Sequence, residues 1–360
     1  MSDSRVRNLA GILVRHSIGA QSRQTVAVQA TPLAEPLVEA LYEELVRVGA
    51  WPVVRLLPDS LQEIFLKHGR PHHFREVTAY QRAAVRHVDA HITIKSQGNT
   101  RSLSGTDPRR QTKLVQTSAP LRRAVLRKPW VLTLFPTPAY AQDAGMSLCE
   151  FEDFVYAAMF ADRPHPLRAW QGLARRQARL IARLQGAARV RVVGPDTDLT
   201  FSIKGRHFVN SAGRRNMPSG EIFTGPVETS AEGVISFDYP VCYSGREIDG
   251  IRLVFRKGVA VEADAREGRG FLHQMLDLDR GARRLGEFGI GTNEQIRIFT
   301  RNILFDEKIG GTIHLALGRS YPETGGRNVS SIHWDMIKDL RLGGAVYVDG
   351  KVFQKDGKFV

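Results

Sequence analysis

The segment TVAVQATPLAEPLVEALYEELVRVGAWPVVRLL (25–57) decides the fold class of the first half of the chain. Apolar residues alternate over 25–30, which predicts a strand with one buried face. Leucines then recur at helical spacing over 34–48 and Gly49 follows them, which predicts a helix and its end. The apolar run 53–57 predicts a second, buried strand. Strand, helix and strand in this order predict a βαβ unit of an α/β sheet.

The pattern of strands and helices continues as far as about residue 190. Apolar runs predict further strands at 88–95 and 130–135, and the polar segment 97–112 between them is interpreted as a loop. Ser147 and Glu150 have capping-box spacing and predict the start of a helix. A longer amphipathic helix is expected over 166–185.

Short strands and glycine-containing turns replace this pattern in the second half. A helix is expected at 270–276, a strand at Ile303–Phe305, and a hairpin with an Asp-Gly turn at 345–352. We therefore predict an α/β domain over 1–190 and a β-rich α+β domain over 191–360. Further strands are expected at 199–204, 234–238, 252–255 and 259–263, with turns at Ser244-Gly245 and Lys257-Gly258.

Length and composition are those of a soluble enzyme. A chain of 360 residues, 42% of them hydrophobic, is long enough for two domains with separate cores. It contains no apolar stretch of about 18 residues, and its N-terminus lacks the features of a signal peptide. The two cysteines, Cys149 and Cys242, form no disulfide framework. We therefore expect a cytoplasmic protein without a membrane span.

The formal net charge of +14 requires a nucleic-acid hypothesis to be considered. The 51 lysines and arginines are spread along the whole chain, with local clusters at 122–128 and 175–183. Such a distribution is typical of a solvated basic surface rather than of a nucleic-acid site. Nucleic acid is therefore an unfavoured partner.

Five side chains in the second half have the chemistry of metal ligands. They are Glu221, Glu287, His314, His333 and Asp335. Carboxylates and imidazoles bind hydrolytic Zn²⁺, Co²⁺ or Mn²⁺, whereas thiolates suit softer or structural sites. Taken singly, a histidine or glutamate among glycines is usually a surface residue, so the assignment depends on the set.

Spacing and charge strengthen the interpretation as a metal site. His333 and Asp335 are two residues apart, so on a strand both side chains point to one face while Trp334 points to the other. Three carboxylates contribute about −3, two divalent cations about +4 and a bridging hydroxide about −1, which leaves the cluster near neutral. The sequence therefore favours two metal ions over one, but spacing does not show which carboxylate bridges them.

The segments around these residues resemble the thermophilic-type metalloaminopeptidases, the family of aminopeptidases T and S. The resemblance is dense from about Asp196 to the C-terminus and looser over 10–186. The matching segments are NMPSGEIFTGP (216–226), GARRLGEFGIGTN (281–293), ILFDEKIGGTIHLALG (303–318), Tyr321 and HWDMIKDLR (333–341).

The resemblance implies a function and a role for each site residue. The five residues named above would bind two divalent metals, and Tyr321, seven residues after His314, would be catalytic. Glu287 is predicted to be catalytic as well as a metal ligand. The reaction would be hydrolysis of the N-terminal residue from peptides that have a free N-terminus, by a water or hydroxide that bridges the metals. A homodimer around an enclosed cavity is also implied. Glu228 and Glu307 are further acidic residues near the site, and either is a candidate general base.

Two other functions remain open from the residues themselves. One is a dinuclear hydrolase of another amide or ester, and the other is a basic protein with a degenerate site that binds nucleic acid or acidic partners. A serine acyl-enzyme mechanism is disfavoured because no G-x-S-x-G motif is present, and H-E-x-x-H is absent as well.

Overall fold

The computed structural model describes residues 3–243 and 246–360, so the turn expected at Ser244-Gly245 lies outside the described residues. A π-helix (Ile12–Ser17) follows the first α-helix, and short 3₁₀ turns occur at Pro32–Ala34, Pro71–Phe74 and Pro322–Thr324. The α-helices are α1 Ser4–Gly11, α2 Glu35–Val48, α3 Ser60–His68, α4 Ala79–Arg86, α5 Pro108–Leu126, α6 Pro138–Asp143, α7 Leu148–Ala158, α8 Pro166–Leu184, α9 Arg269–Leu276 and α10 Ile303–Asp306.

The strands are short, and most of them lie after residue 188. They are β1 Thr25–Ala30, β2 Trp51–Leu56, β3 Ala90–Lys95, β4 Trp130–Leu134, β5 Arg189–Gly194, β6 Thr197–Ser202, β7 Val209–Ser211, β8 Asn216–Met217, β9 Glu221–Thr224, β10 Glu232–Ser236, β11 Val241–Tyr243, β12 Arg246–Ile248, β13 Arg252–Arg256, β14 Val259–Asp264, β15 Leu285–Gly291, β16 Thr312–Gly318, β17 His333–Asp339, β18 Ala345–Val348, β19 Lys351–Lys355 and β20 Lys358–Phe359.

The chain divides into two compact units. Residues 1–170 and 213–218 form the first, and residues 171–212 and 219–360 form the second. The domain boundary predicted from the sequence lies between residues 190 and 191. The division into compact units does not test it, so it remains a prediction. No helix among the described residues is both long enough and apolar enough to cross a membrane.

The first unit contains a parallel sheet with the order β2-β1-β3-β4-β8. Strand β1 pairs in parallel with β2 on one side and with β3 on the other, so the predicted βαβ unit is confirmed. The expectation that its second strand is buried is wrong, because β2 is the edge strand of the sheet and most of its residues are exposed. Helix α2 ends at Gly49, whose φ of 83° is a left-handed conformation that glycine adopts without strain. The predicted capping box of Ser147 and Glu150 begins α7 as expected.

One loop prediction in this unit is wrong at its C-terminal end. Residues 108–112 belong to α5 rather than to the polar loop predicted over 97–112. The side chain of Asp107 accepts a hydrogen bond of 2.8 Å from the Arg109 amide, and Pro108 occupies the first helical turn. An aspartate followed by a proline is a helix-start signal that the polar composition of the segment concealed.

The second unit consists mainly of two antiparallel sheets. Eight strands have the order β14-β13-β10-β6-β5-β18-β19-β20, and five have the order β17-β16-β15-β9-β7. Large buried side chains such as Phe201, Phe255, Phe288 and Trp334 belong to one hydrophobic core. The predicted fold class, an α/β half followed by a β-rich α+β half, is confirmed.

Two local predictions in this unit had different outcomes. The Asp349-Gly350 hairpin is confirmed, and both turn residues have positive φ values of 47° and 81°. Ile303–Phe305, predicted as a strand, is instead the start of the short helix α10. The side chain of Asn302 accepts a hydrogen bond of 3.2 Å from the Leu304 amide, which is an N-cap that favours a helical turn over an extended chain.

Candidate metal centre

Four neighbouring strands of the antiparallel five-stranded sheet in the second unit carry the five predicted metal ligands. Glu221 begins β9, Glu287 lies in β15, His314 in β16, and His333 and Asp335 in β17. The register sets Glu221 opposite Gly291, His314 opposite Gly289 and Asp335 opposite Ala316. Small residues thus face the ligands across the sheet, and all five side chains come together.

The five side chains form two groups of three that share one member. The first group is Glu221, Glu287 and His314, and the second is Glu287, His333 and Asp335. Within each group the potential ligand atoms lie within 4.8 Å of one another. Glu287 is only 4% exposed and directs one oxygen into each group. Its Oε1 lies 3.2 Å from His314 Nε2, and its Oε2 lies 3.3 Å from His333 Nε2.

The outer carboxylates complete the two groups. Oε2 of Glu221 lies 3.5 Å from His314 Nε2, and Oδ1 of Asp335 lies 3.4 Å from His333 Nε2. Oε2 of Glu221, Oε2 of Glu287 and Oδ1 of Asp335 are buried and have no hydrogen-bond partner of good geometry among the described residues. Buried carboxylate oxygens without donors are costly unless a cation satisfies them. The donor set therefore fits divalent metal ions.

The electrostatics of the cluster favour bound positive charge. Burial opposes ionisation of Glu287, but the hydrogen bond from His314 and the nearby imidazole of His333 hold its pKa below the ordinary value. Burial likewise acts against ionisation of Asp335, yet His333 lowers its pKa to about 2. Burial alone would lower the pKa of His314, whereas Glu287 and Glu221 raise it to about 9. Burial raises the pKa of Glu221 above its ordinary value, whereas Glu287 and Asp335 retain their charge and attract cations.

Gly289 provides the space for His314. The two residues are partners across β15 and β16, and the imidazole lies over the glycine. A Cβ at position 289 would lie 2.0 Å from both Cε1 and Nε2 of the ring. Any side chain here would displace the ring from the cluster, because Cβ atoms do not approach other atoms so closely. A glycine at position 289 is therefore a steric requirement of the site.

The orientation of His333 is set by hydrogen bonds outside the cluster. Its Nδ1 lies 2.7 Å from the Arg319 carbonyl oxygen, so Nδ1–H donates to that oxygen and Nε2 faces the carboxylates. The segment before it is held by Asp279, which accepts hydrogen bonds from Ser331 N at 2.8 Å and Ser331 Oγ at 2.6 Å. Partial burial acts to raise the pKa of Asp279, but these hydrogen bonds lower it to about 2.

Gln177 of α8 was not singled out by the sequence, although it positions the strand of Glu221. The side chain is fully buried, and its Nε2 donates to Glu221 O at 2.9 Å and to Thr292 Oγ1 at 2.8 Å. Gln177 is spaced four residues from Leu173 and three from Leu180, on the apolar face of the helix. A polar residue on such a face was the available signal for a buried hydrogen bond.

Lys308 is a second residue that the sequence interpretation missed. Its side chain is 0% exposed, it pairs with Glu307, and its Nζ lies 3.8 Å from Oε1 of Glu221. Burial opposes the charge, but Glu221 and Glu307 hold the pKa of Lys308 above its ordinary value. The other acidic candidate, Glu228, is occupied elsewhere by Arg206 Nη2 at 2.7 Å and Arg327 N at 2.6 Å.

Tyr321 borders the cluster without belonging to either group of three. Its ring packs edge-on against His333, with ring centroids 4.8 Å apart, and against Phe223 at 5.6 Å. Burial is the main cause that raises the pKa of Tyr321 above its ordinary value. The side chain is therefore a neutral phenol and a hydrogen-bond donor near neutral pH.

Two overlapping carboxylate–imidazole groups on one β-sheet have the donor set of a metal-dependent hydrolase. The comparison with known families agrees with that class. Residues 2–359 match the thermophilic metalloprotease family M29, and the chain belongs to that family.

Two proteins of similar length that this chain resembles are named aminopeptidases. Aminopeptidase 2 of Geobacillus stearothermophilus is 30% identical over 391 residues, which covers 95% of this chain and 94% of that protein. Aminopeptidase PepS of Streptococcus thermophilus is 26% identical, with 91% and 90% covered. The solved structure of wild-type AmpT from Thermus thermophilus has the same fold, with a TM-score of 0.86, 23% identity and 99% of each chain covered.

Proposed function

We propose that this M29 enzyme is an aminopeptidase that hydrolyses the N-terminal residue from peptides with the help of two divalent metal ions. The observation that carries the proposal is the position of Glu287, whose two oxygens face separate groups of potential ligands. One group alone would hold one ion, whereas two groups with a shared carboxylate form a dinuclear centre. The family membership and the names of the relatives favour a peptide substrate over another amide or ester, and over nucleic acid.

We assign the ligands in two sets. Glu221, Glu287 and His314 would hold one ion, and Glu287, His333 and Asp335 the other, so Glu287 would be the ligand that the two sets share. Oxygen and imidazole donors suit zinc, cobalt and manganese alike. Divalent ions bound here would supply Lewis acidity toward the scissile carbonyl and would lower the pKa of water.

The chain's own residues supply donors, acceptors and fixed charge. Tyr321, as a neutral phenol beside His333, would donate a hydrogen bond to the oxyanion that develops on the substrate. Glu307 is the better candidate for general base, because both Glu228 oxygens already accept hydrogen bonds. Lys308 would hold Glu221 and Glu307 in place through its buried positive charge.

Removal of metal tests the proposed function directly. The purified protein, treated with a chelator and freed of it by dialysis, is expected to lose hydrolysis of aminoacyl amides and to regain it with Zn²⁺, Co²⁺ or Mn²⁺. Peptides with an acetylated N-terminus serve as the matched control, because they offer the same bond without a free amine. Equal hydrolysis of free and acetylated peptides would contradict the aminopeptidase assignment, and full activity without metal would contradict the metal centre.

Tyr321→Phe tests the role of the phenol. We expect kcat to fall about 10²- to 10³-fold with KM and metal content nearly unchanged, because one donor to the oxyanion is lost. Steady-state kinetics beside metal analysis measures this. Phe223→Leu, which alters the other ring packed on Tyr321, is the packing control and should retain most of kcat. A Tyr321→Phe enzyme with its metals and most of its kcat would remove Tyr321 from the mechanism.

The location and assembly expected from the sequence stay predictions. Cys149 and Cys242 are both exposed and are not joined in a disulfide, which supports a reducing compartment such as the cytoplasm. The homodimer is implied by the family resemblance, and sedimentation of the purified protein would measure it.

A further inference from the structure

A cavity of about 120 Å³ lies in the second unit next to the candidate metal centre. His333 and Asp335 form part of its wall, and Ile337 continues that wall along β17. Residues at alternate positions of a strand share a face, so the apolar Ile337 lies directly beyond the two candidate ligands. The remaining wall is mainly apolar and aromatic, with Tyr239, Val241, Phe299 and Ile303, and Trp334 borders the cavity from the opposite face of the edge strand β17.

We propose that this cavity binds the side chain of the substrate's N-terminal residue and selects apolar side chains of about the size of leucine or phenylalanine. The inference rests on the proposed function and adds the substrate class. A peptide whose first carbonyl lies at the metal centre has its first side chain within one residue's length of His333 and Asp335. The cavity that these two residues border is therefore where that side chain would lie.

The aromatic part of the wall is rigid and presents carbon atoms to the cavity. Tyr239 and Phe299 stack with ring centroids 4.7 Å apart and planes 10° apart. The Tyr239 hydroxyl lies 2.8 Å from Asp339 Oδ2, to which it donates, and accepts from Arg341 Nη2 at 2.8 Å. With its hydroxyl engaged in these bonds, Tyr239 contributes mainly ring surface.

The charged groups of the wall argue against a basic substrate side chain. Asp306 is already bound by Thr300, with the amide and hydroxyl both at 2.8 Å from Oδ1. Arg301, whose Nε lies 3.5 Å from Glu247 Oε2, adds a guanidinium to the wall. With Asp335 assigned to a metal ion and Asp306 bound to Thr300, a lysine or arginine side chain of the substrate would meet the positive charge of Arg301, whereas an apolar one would lose only its contact with water.

The volume sets an approximate upper limit on the side chain. An apolar protein cavity of about 150 Å³ accommodates a benzene molecule. The volume of about 120 Å³ here therefore suits branched aliphatic side chains best and a phenyl ring less well. An alanine side chain would leave most of the cavity unfilled.

Substrate profiling of the metal-loaded enzyme tests the proposal. Alanyl, leucyl, phenylalanyl and lysyl amides are compared by kcat/KM. The leucyl substrate is expected to exceed the alanyl one about 10- to 100-fold, since additional buried methylenes produce differences of that order. The lysyl substrate should fall well below the leucyl one.

Two variants connect that preference to the cavity. Ile303→Glu introduces an acidic group into the wall, so the leucyl-to-alanyl ratio should fall about tenfold and the lysyl-to-leucyl ratio should rise. Ile298→Glu is the matched control, because Ile298 is 44% exposed against 41% for Ile303 but does not line the cavity. Phe299→Ala enlarges the cavity and should raise the phenylalanyl-to-leucyl ratio.

The possible outcomes distinguish failure of the side-chain site from failure of the aminopeptidase proposal. If both cavity variants fold and bind metal yet keep the wild-type ratios, or if Ile298→Glu shifts the ratios as Ile303→Glu does, the cavity is not the side-chain site. If the wild-type enzyme hydrolyses none of the four amides, the aminopeptidase proposal itself fails, and the side-chain site fails with it.

Discussion

Glu287→Gln is expected to lose both metal ions and to lower kcat/KM by on the order of 10³-fold or more. Each Glu287 oxygen faces a different group of candidate ligands, so removal of the charge weakens both ion sites at once. Metal ions contribute several kcal/mol of transition-state stabilisation, and each 1.4 kcal/mol corresponds to about tenfold in rate. Metal analysis by mass spectrometry and hydrolysis of leucyl amide measure the two effects.

Glu221→Gln is the informative comparison, because Glu221 belongs to one group only. We expect this variant to lose about one equivalent of metal while the Glu287 variant loses two. Glu262→Gln, a change at an exposed glutamate of β14, should retain both equivalents. Equal metal loss from the Glu221 and Glu287 variants would show that Glu287 is not the shared ligand.

Lys308→Met is expected to destabilise the metal-free protein by about 3–5 kcal/mol, because it leaves buried carboxylates without their cation. The ammonium of Lys308 pairs with Glu307 and lies 3.8 Å from Glu221, and none of its side chain is exposed. Bound metal ions would replace part of that lost positive charge near Glu221. The variant should therefore gain more stability from metal than the wild-type protein does.

Lys338→Met is the control that separates the expected effect of metal on the Lys308 variant from the general cost of losing a buried lysine. Lys338 is 1% exposed and donates to Asp238 Oδ1 at 3.0 Å and Pro195 O at 3.1 Å, away from the candidate ligands. We expect it to destabilise the metal-free and metal-loaded proteins equally. Denaturant unfolding of all three proteins, with and without metal, measures the difference. An identical metal effect in the Lys308 and Lys338 variants would refute an electrostatic role of Lys308 at the site.

Local sequence signals predicted most helices and strands of the first unit. In both units they failed where composition and a capping residue indicated different structures. The Ser147 capping box depends on contacts within a few residues, and the two strands and the helix of the βαβ unit each show a short-range periodicity, so the sequence revealed them. Residues 108–112 and Ile303–Phe305 were assigned wrongly because overall polarity or apolar character outweighed a single capping residue. In both places an aspartate or asparagine just before the segment was the better predictor.

The candidate site was predicted only in part. Ligand-type side chains and the common face of His333 and Asp335 follow from residue type and strand periodicity. The roles of Gln177, Gly289 and Lys308 do not, because each contacts a residue that is distant in sequence or opposite in register, or depends on complete burial. Their roles become apparent only in the folded unit, where the pairing of the strands places these residues beside the candidate ligands.

The amino-acid sequence by itself determined the two-part fold class, the set of five candidate ligands and the family resemblance, since each depends on residue identity and short spacing. The tertiary structure decided which glutamate faces both groups, where a glycine makes room for an imidazole, and that an apolar cavity borders His333 and Asp335. These features arise from the register between strands that are tens of residues apart. Pairing between distant strands is set by packing of the whole unit, which short-range patterns do not encode.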